Sequence, residues 1–323
     1  MHRILYHMDA DGHASGAIVA TALLRDGVEE KEIDFHPINY GMEVPLLDYK
    51  NDNVYMVDFS LQPDEKMVDF CEKLGDRLVW IDHHDTAVDI ERKYNLHSVG
   101  GLRAATFYDL DGRPDDDRKI SACELVWIFN FPNDDIPRFI ELIGEWDTWR
   151  WKDMDQSDAP LMMFYLRSDD FNPKRNLWWW RTNINLALEH PEAVESSLND
   201  DWLPTGSALR GYQVSQDKGL MYSKAFEGEF AGHSAILVNQ LGNSEMFKAL
   251  YDPKKHDLRV TFQFIKGQYW SISFYSENPD IHCGDLAKKL GEAGPIPSGG
   301  GHAGAAGFQT TWEYLSTLIT VPE

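Results

Sequence analysis

Ile4-Leu5-Tyr6-His7-Met8-Asp9-Ala10-Asp11-Gly12 sets three apolar residues directly against alternating imidazole and carboxylate, and this junction decides how the chain folds. A short continuous apolar run reads as a strand buried on both faces, as in a parallel sheet. Two further junctions repeat the pattern: Val54–Val57 runs into Asp58, and Leu78–Ile81 runs into Asp82-His83-His84. Ligands of open α/β sheets gather at the carboxyl ends of the strands. The three polar clusters are therefore expected to converge in space although they lie far apart in sequence.

Helices fit between these strands. Ala14 to Leu24 is rich in Ala, Val and Leu, and Asp64 to Leu74 carries Met67, Phe70, Cys71 and Leu74 at helical spacing. Ser121-Ala122-Cys123-Glu124 has the form of a capping box ahead of an apolar run, and Ile136, Phe139, Ile140 and Ile143 carry a helix toward Glu145-Trp146-Asp147. From about 183 to 215 the chain is polar and helix-like, punctuated by Pro191, Pro204 and Gly206. Strand-like runs follow at Ser234–Val238, Leu258–Ile265 and Tyr269–Tyr275, the last two divided by Lys266-Gly267-Gln268 as a hairpin turn. The end holds a helix-like Gly284–Glu292 and the glycine-rich run from Gly299 to Gly307. The expected fold class is α/β: a parallel-sheet catalytic domain over 1–185, a helical connector over 186–225, and a smaller mixed α/β substrate-binding domain over 226–323.

The chain's 323 residues suit two domains, and 43% hydrophobic residues suffice for two cores. No apolar run approaches the roughly 20 residues that cross a bilayer, and the apolar start is too short for a secretory signal. Cytoplasmic residence without a membrane partner is the expectation. Cys71, Cys123 and Cys283 are odd in number and lack paired spacing, so they read as small buried apolar residues. A formal charge of −23 repels polyanions and argues against binding long duplex DNA. A short phosphate ligand remains compatible if bound cations concentrate the attraction at one site.

Carboxylates would be needed to hold such cations. Two divalent ions roughly 3.5–4 Å apart can activate water, hold a phosphate and stabilise the charge of an in-line displacement. That arrangement needs several carboxylates, one of them bridging, with imidazoles to favour Mn over Mg. His7, Asp9, Asp11, Asp58, His83 and Asp147 supply the inventory. On an extended segment, His7, Asp9 and Asp11 would point one way. Taken singly, each has a blander reading: Asp-Ala-Asp-Gly is good turn chemistry, Asp58 could cap a helix, and Asp147 could end one. Their placement at successive strand ends is what favours the metal site.

In these motifs the chain resembles the DHH phosphoesterases, whose name-giving triplet stands here as Asp82-His83-His84. The resemblance runs through His7-Met8-Asp9-Ala10-Asp11-Gly12, Asp58, the triplet and Asp147. It resumes at Gly299-Gly300-Gly301-His302 and Ala305-Ala306-Gly307-Phe308, which look like the associated C-terminal domain. The resemblance implies two lobes with the active site in the cleft between them, and two Mn2+ ions with Mg2+ as a weaker substitute. It further implies that His7 and Asp9 bind one metal, that Asp11, His83 and Asp147 bind the other, and that Asp58 bridges both. Asp82 would orient His83 or another group beside the metal ligands, and His84 would donate to the phosphate or the leaving oxygen. Gly299, Gly300 and Gly301 would admit a phosphate to their backbone N–H groups, with His302 as an added donor and catalytic assistant. Many relatives carry Arg in a Ser-x-Arg-Ser pattern where this chain has Ser273-Phe274-Tyr275-Ser276. Tyr275 would instead stack on a base or bond a phosphate, which favours the oligoribonuclease or cyclic-nucleotide phosphodiesterase branch.

The resulting expectation is a phosphodiesterase that converts short oligonucleotides or dinucleotides to mononucleotides. A cyclic-nucleotide or nucleotide-bisphosphate phosphatase and a catalytically silent nucleotide sensor are the alternatives, and a homodimer is left open. Two tryptophan clusters, Trp146, Trp149, Trp151 and Trp178-Trp179-Trp180, read as packing between the core and the connector helices. Trp149 and Trp151, just after Asp147, are the candidates for base stacking instead.

Overall fold

The computed structural model describes residues 1–40, 42–96, 120–154 and 156–321. They form two compact units, Met1–Arg210 and Gly211–Glu323. The first contains β1 (His2–His7), α1 (Ala10–Arg25), β2 (Ile33–Ile38), β3 (Asn53–Val57), α2 (Asp64–Leu74), β4 (Leu78–Ile81) and α3 (Asp85–Tyr94). It continues with α4 (Ala122–Asn130), α5 (Arg138–Asp147), α6 (Ala159–Tyr165), α7 (Pro173–Glu189), α8 (Pro191–Ser197) and the start of α9 (Leu203–Lys224). The division between the units falls inside α9, within the stretch expected to connect two domains.

The four strands of the first unit are all parallel, in the order β2-β1-β3-β4. Both faces are covered, which is why β1, β3 and β4 read as unbroken apolar runs. Ile4 and Tyr6 enter the core shared with α1, α4, α5 and α7, while Leu5 enters the opposite core with Met67, Phe70 and Leu74 of α2. Helix α1 is buried on most of its circumference, because it is packed by the sheet on one side and by α4 and α7 on the other. Ser121 caps α4 in the expected capping box, its side chain accepting from Glu124 N while Glu124 returns a bond to Ser121 N. The three cysteines are free and buried.

The second unit holds β5 (Phe226–Phe230), β6 (His233–Val238), β7 (Leu258–Ile265), β8 (Tyr269–Tyr275), α10 (Cys283–Ala293), β9 (Gly300–His302), β10 (Ala305–Thr310), α11 (Trp312–Leu318) and β11 (Ile319–Thr320). They build a mixed seven-stranded sheet in the order β11-β5-β6-β7-β8-β10-β9, parallel only between β6 and β7. One face packs Val260, Ile272, Phe274 and Phe308 against Ala287 and Leu290 of α10. The other carries Ile236 and Val238 against Met221 and Phe247. The tryptophans divide as packing predicts in part: Trp180 is fully buried and Trp179 lies 5.0 Å from Trp202, but Trp178 is 74% exposed.

Candidate metal centre

The parallel strands deliver their polar ends to one edge of the sheet. His7 ends β1, Asp58 follows β3, and Asp82-His83-His84 follows β4. Helix starts fix the side chains further. Asp9 is the N-cap of α1, its Oδ1 accepting from Gly12 N at 2.9 Å. Gly12 is required there, since a Cβ would lie 2.3 Å from the His7 carbonyl oxygen. Asp11 is buried and accepts from the first two amides of α4, Ala122 N at 2.9 Å and Cys123 N at 2.7 Å. A helix N-terminus favours negative charge, so these two amides fix the position of Asp11 and partly offset the cost of burying its charge. Asp147 arrives from the end of α5.

The residues expected to bind metal come together in two groups. His7, Asp9 and Asp58 form one, and Asp11, His83 and Asp147 the other, with the ligand atoms of each group within 4.8 Å of one another. Asp58 divides its two oxygens between them. Its Oδ2 lies 3.7 Å from His7 Nδ1, and its Oδ1 lies 3.5 Å from His83 Nε2. His83 Nε2 is also 3.1 Å from Asp147 Oδ2 and 3.7 Å from Asp11 Oδ2. Asp58 holds this position with a left-handed backbone, φ 57, which Asp adopts more readily than most residues but still at a cost. His7 Nδ1, Asp58 Oδ2 and His83 Nε2 are all buried without a hydrogen-bond partner. Unpartnered buried acceptors and imidazole nitrogens facing one another are what a pair of divalent cations would satisfy, so the donor set fits two metal ions.

The electrostatics are those of crowded carboxylates. Burial, then the charges of Asp58 and Asp147, push Asp11 well above the ordinary range. Burial likewise raises Asp58 to about 6, against the pull of its contacts with His7 and His83. Burial alone would lower His7, but its contacts with Asp58 and Asp9 raise it to about 10. His83 behaves in the same way: burial lowers it, and Asp147 and Asp58 more than reverse this. The raised His7 and His83 imidazoles thus favour a proton that a bound cation would displace.

Of the two contacts expected of Asp82, the structure shows the one that is not His83. Asp82 orients His84 and not His83: its Oδ1 accepts from His84 Nδ1 at 2.7 Å and from His84 N at 3.1 Å. The reason is the turn after β4, where the His84 backbone amide folds back onto Asp82 at the start of α3. Burial would lower the His84 pKa, but Asp82 raises it overall, which favours the protonated, donating form. The sequence reading also missed Ser60, a fully buried hydroxyl that donates to Asp82 Oδ2 at 2.5 Å. Its only sequence signal is its place two residues after Asp58. Replacing Ser60 by Ala should cost about 1–3 kcal/mol in urea denaturation, since it strips a donor from a buried carboxylate. An unchanged midpoint would show that the bond contributes nothing. Tyr40 was missed too: it follows β2, contacts His7 edge-on at 5.9 Å, and is 47% exposed.

In the second unit, Gly299 and Gly301 take φ of 118 and 144, conformations that side chains rarely adopt. Gly300 and His302 lie in β9, and the His302 side chain falls outside the described side chains. Tyr275 is half-buried, and its hydroxyl donates to the Gly242 carbonyl at 3.0 Å. Trp149 is 53% exposed with a left-handed φ of 65, whereas Trp151 stacks on Trp146 at 5.3 Å.

No protein-family model matches the chain. It is 26% identical to oligoribonuclease NrnB of Bacillus subtilis (strain 168), over 99% of this chain and 75% of that protein. It is 24% identical to the uncharacterized protein R106 of Acanthamoeba polyphaga mimivirus, over 84% of this chain and 56% of that one. Among solved structures it is similar to the DHH domain of a member of a ribosomal-protein family, with a TM-score of 0.57 and 14% identity, over 98% of this chain and 84% of that chain. The structural likeness establishes a shared fold. Among the described residues, no helix is long and apolar enough to cross a membrane.

Proposed function

We propose that this chain, which is similar to oligoribonuclease NrnB in sequence and to a DHH domain in fold, is a two-metal DHH-type phosphodiesterase trimming short oligonucleotides or dinucleotides to mononucleotides. The observation that carries the proposal is the division of Asp58: one oxygen faces His7 and the other faces His83, at 3.7 and 3.5 Å. The NrnB relative, named an oligoribonuclease, supports the choice of substrate class.

In this reading His7 and Asp9 would hold one ion and Asp11, His83 and Asp147 the second, with Asp58 available to both. When bound, two Mn2+ ions would supply Lewis-acid stabilisation of the phosphoryl charge and a nucleophile at neutral pH. The protein's own residues do the rest. Asp82, fixed by Ser60, aims the His84 imidazole and favours its protonated form, in which it could donate to a phosphate or leaving oxygen. Gly299, Gly300, Gly301, His302 and Tyr275 are proposed to hold the substrate in the C-terminal unit.

The test is a panel of 5′-labelled RNA and DNA from 2 to 20 residues, cyclic nucleotides, nucleotide bisphosphates and pyrophosphate, assayed with each metal in turn. Activity should be greatest with Mn, because two imidazoles sit in the ligand set and Mg prefers oxygen. Turnover should fall beyond about five residues, because flanking phosphates leave the metal-screened zone, about 8 Å at physiological salt, and meet a chain of net charge −23. Equal kcat/KM for a 3-mer and a 20-mer, or full activity in chelator, would overturn this reading. Hydrolysis confined to cyclic nucleotides or bisphosphates would move it to the alternative substrate.

A further inference from the structure

The register of the seven-stranded sheet sets an arginine in line with the glycine-rich segment. Arg259 of β7 stands opposite Ile236 of β6 and Tyr275 of β8. Tyr275 in turn stands opposite Ala305 of β10, and Ala305 opposite His302 of β9. Directly opposed residues share a sheet face, and neighbouring strands lie about 4.8 Å apart. Arg259 and Tyr275 are therefore side by side, on the face away from α10, and the backbone row runs on through Ala305 to the turn of small residues.

Arg259 is only 9% exposed, and its contacts leave its hydrogen-bonding capacity unfilled. One terminal nitrogen, Nη1, meets Glu277 Oε1 at 2.9 Å, and the guanidinium lies 4.4 Å over the Tyr251 ring. The Nε–H is buried with no partner. Asp257, the other acid nearby in sequence, is already engaged: Ser234 Oγ donates to its Oδ2 at 2.7 Å and Asn278 Nδ2 to its Oδ1 at 3.0 Å. The Glu277 side chain is 59% exposed, so it is a surface counter-ion and not a buried partner. A guanidinium seated over an aromatic ring, with one donor taken by an exposed carboxylate and another unsatisfied, has the free donors that a forked anionic acceptor would use.

We propose that Arg259 is a phosphate receptor of the C-terminal unit, taking the terminal phosphate of a nucleotide in exchange for Glu277, with Tyr275 alongside. The proposal rests on the nucleotide phosphodiesterase reading above and adds to it the group that recognises the phosphate. Planarity matters here. Lysine would keep the charge but lose the fork, and the phosphate oxygens would lose one of two parallel bonds.

The experiment is calorimetric titration of the full-length, metal-free protein with adenosine 5′-monophosphate, adenosine and inorganic phosphate. Without metal, the buried carboxylates of the first unit repel phosphate, so binding reports on other sites. Wild type should bind the monophosphate, with inorganic phosphate weaker and adenosine weaker still. Arg259→Met should reduce monophosphate affinity about tenfold or more, and Arg259→Lys should fall between. Glu277→Gln should tighten binding by about twofold to fivefold, because it removes the competing anion. A structural ion pair predicts something else: Arg259→Met and Glu277→Gln would lower the melting temperature and leave affinity for the monophosphate unchanged. Glu277→Gln keeps the test decisive if Arg259→Met fails to fold. Unaltered affinity in Glu277→Gln and Arg259→Lys, or no binding by metal-free wild type, overturns the assignment. The two readings separate cleanly. Dinucleotide hydrolysis by wild type with no Arg259 effect sinks only this inference, and Arg259-dependent binding without hydrolysis sinks only the reaction.

Discussion

Asp58→Asn should lower kcat on a dinucleotide about 1,000-fold or more, and should make the metal-free protein more stable. Both effects come from the same position. Asp58 is 2% exposed and offers one oxygen to each ligand group, so among the described residues it is the side chain through which both metals would be held. An amide has the same shape but only one oxygen and no charge, so it cannot bridge two cations. Loss of the electrostatic stabilisation that a metal pair provides is worth several kcal/mol of barrier, which is the origin of the expected factor. In the metal-free protein the sign reverses, because Asp58 is a buried anion among Asp9, Asp11 and Asp147 whose ionised form is disfavoured by burial. Steady-state kinetics in Mn, metal content by mass spectrometry and urea denaturation in chelator test the pair of effects together. Near-wild-type turnover with two metals bound would remove Asp58 from the bridging role.

The site was legible in the sequence because its parts sit at strand ends, where the period changes abruptly from buried apolar to acidic. Val54–Val57 into Asp58 and Leu78–Ile81 into Asp82 mark β3 and β4 to within a residue. Tyr269–Tyr275 and Leu258–Ile265 match β8 and β7 at both ends. What escaped notice has a physical reason in each case. Strand β2 reads Ile33-Asp34-Phe35-His36-Pro37-Ile38, an alternating pattern with a proline, because it lies at the sheet edge where one side of the ladder is unpaired. Missing β2 also hid Tyr40, which that strand delivers beside His7. Ser60 was invisible because a lone serine near an acid is common, and only the fold brings Ser60 to Asp82. The partner of Asp82 was left open because sequence adjacency does not say which of two successive histidines folds back. Arg259 gave no signal either, since its significance arises from cross-strand register with Tyr275.

The metal-free protein should become more stable on acidification from pH 8 to 5, and the Mn-loaded protein less stable. His7 has a folded pKa of about 10: burial would lower it, but Asp58 and Asp9 raise it. Its unfolded value is about 6.5. A raised imidazole contributes stability that is complete below 6.5 and is lost as pH rises through 10, so moving from 8 to 6.5 is a gain. Asp58 has a folded value of about 6, raised by burial, against an ordinary value of 3.8. Its ionised form is the unfavourable one when folded, so stability is gained as pH falls through 6 and the gain is complete only below 3.8. Asp9 opposes this but in another window. Burial would raise it, yet His7 lowers it to about 2, and its contribution is lost only as pH falls from 3.8 toward 2. Between 8 and 5 the site's terms therefore act in one direction. Metal reverses the direction, since binding requires deprotonated ligands and adds about 2.7 kcal/mol at one hundred times the dissociation constant. Acidification erodes that affinity. Melting temperatures at pH 8, 6.5 and 5, in chelator and in saturating Mn, should diverge at high pH and converge at low pH. The chain's general negative charge also favours acid, and His7→Gln isolates the site, because that background persists while the slope from 8 to 6.5 flattens. A metal-free melting temperature that falls on acidification, or a His7→Gln slope identical to wild type, would show that these protons are not held as the geometry implies.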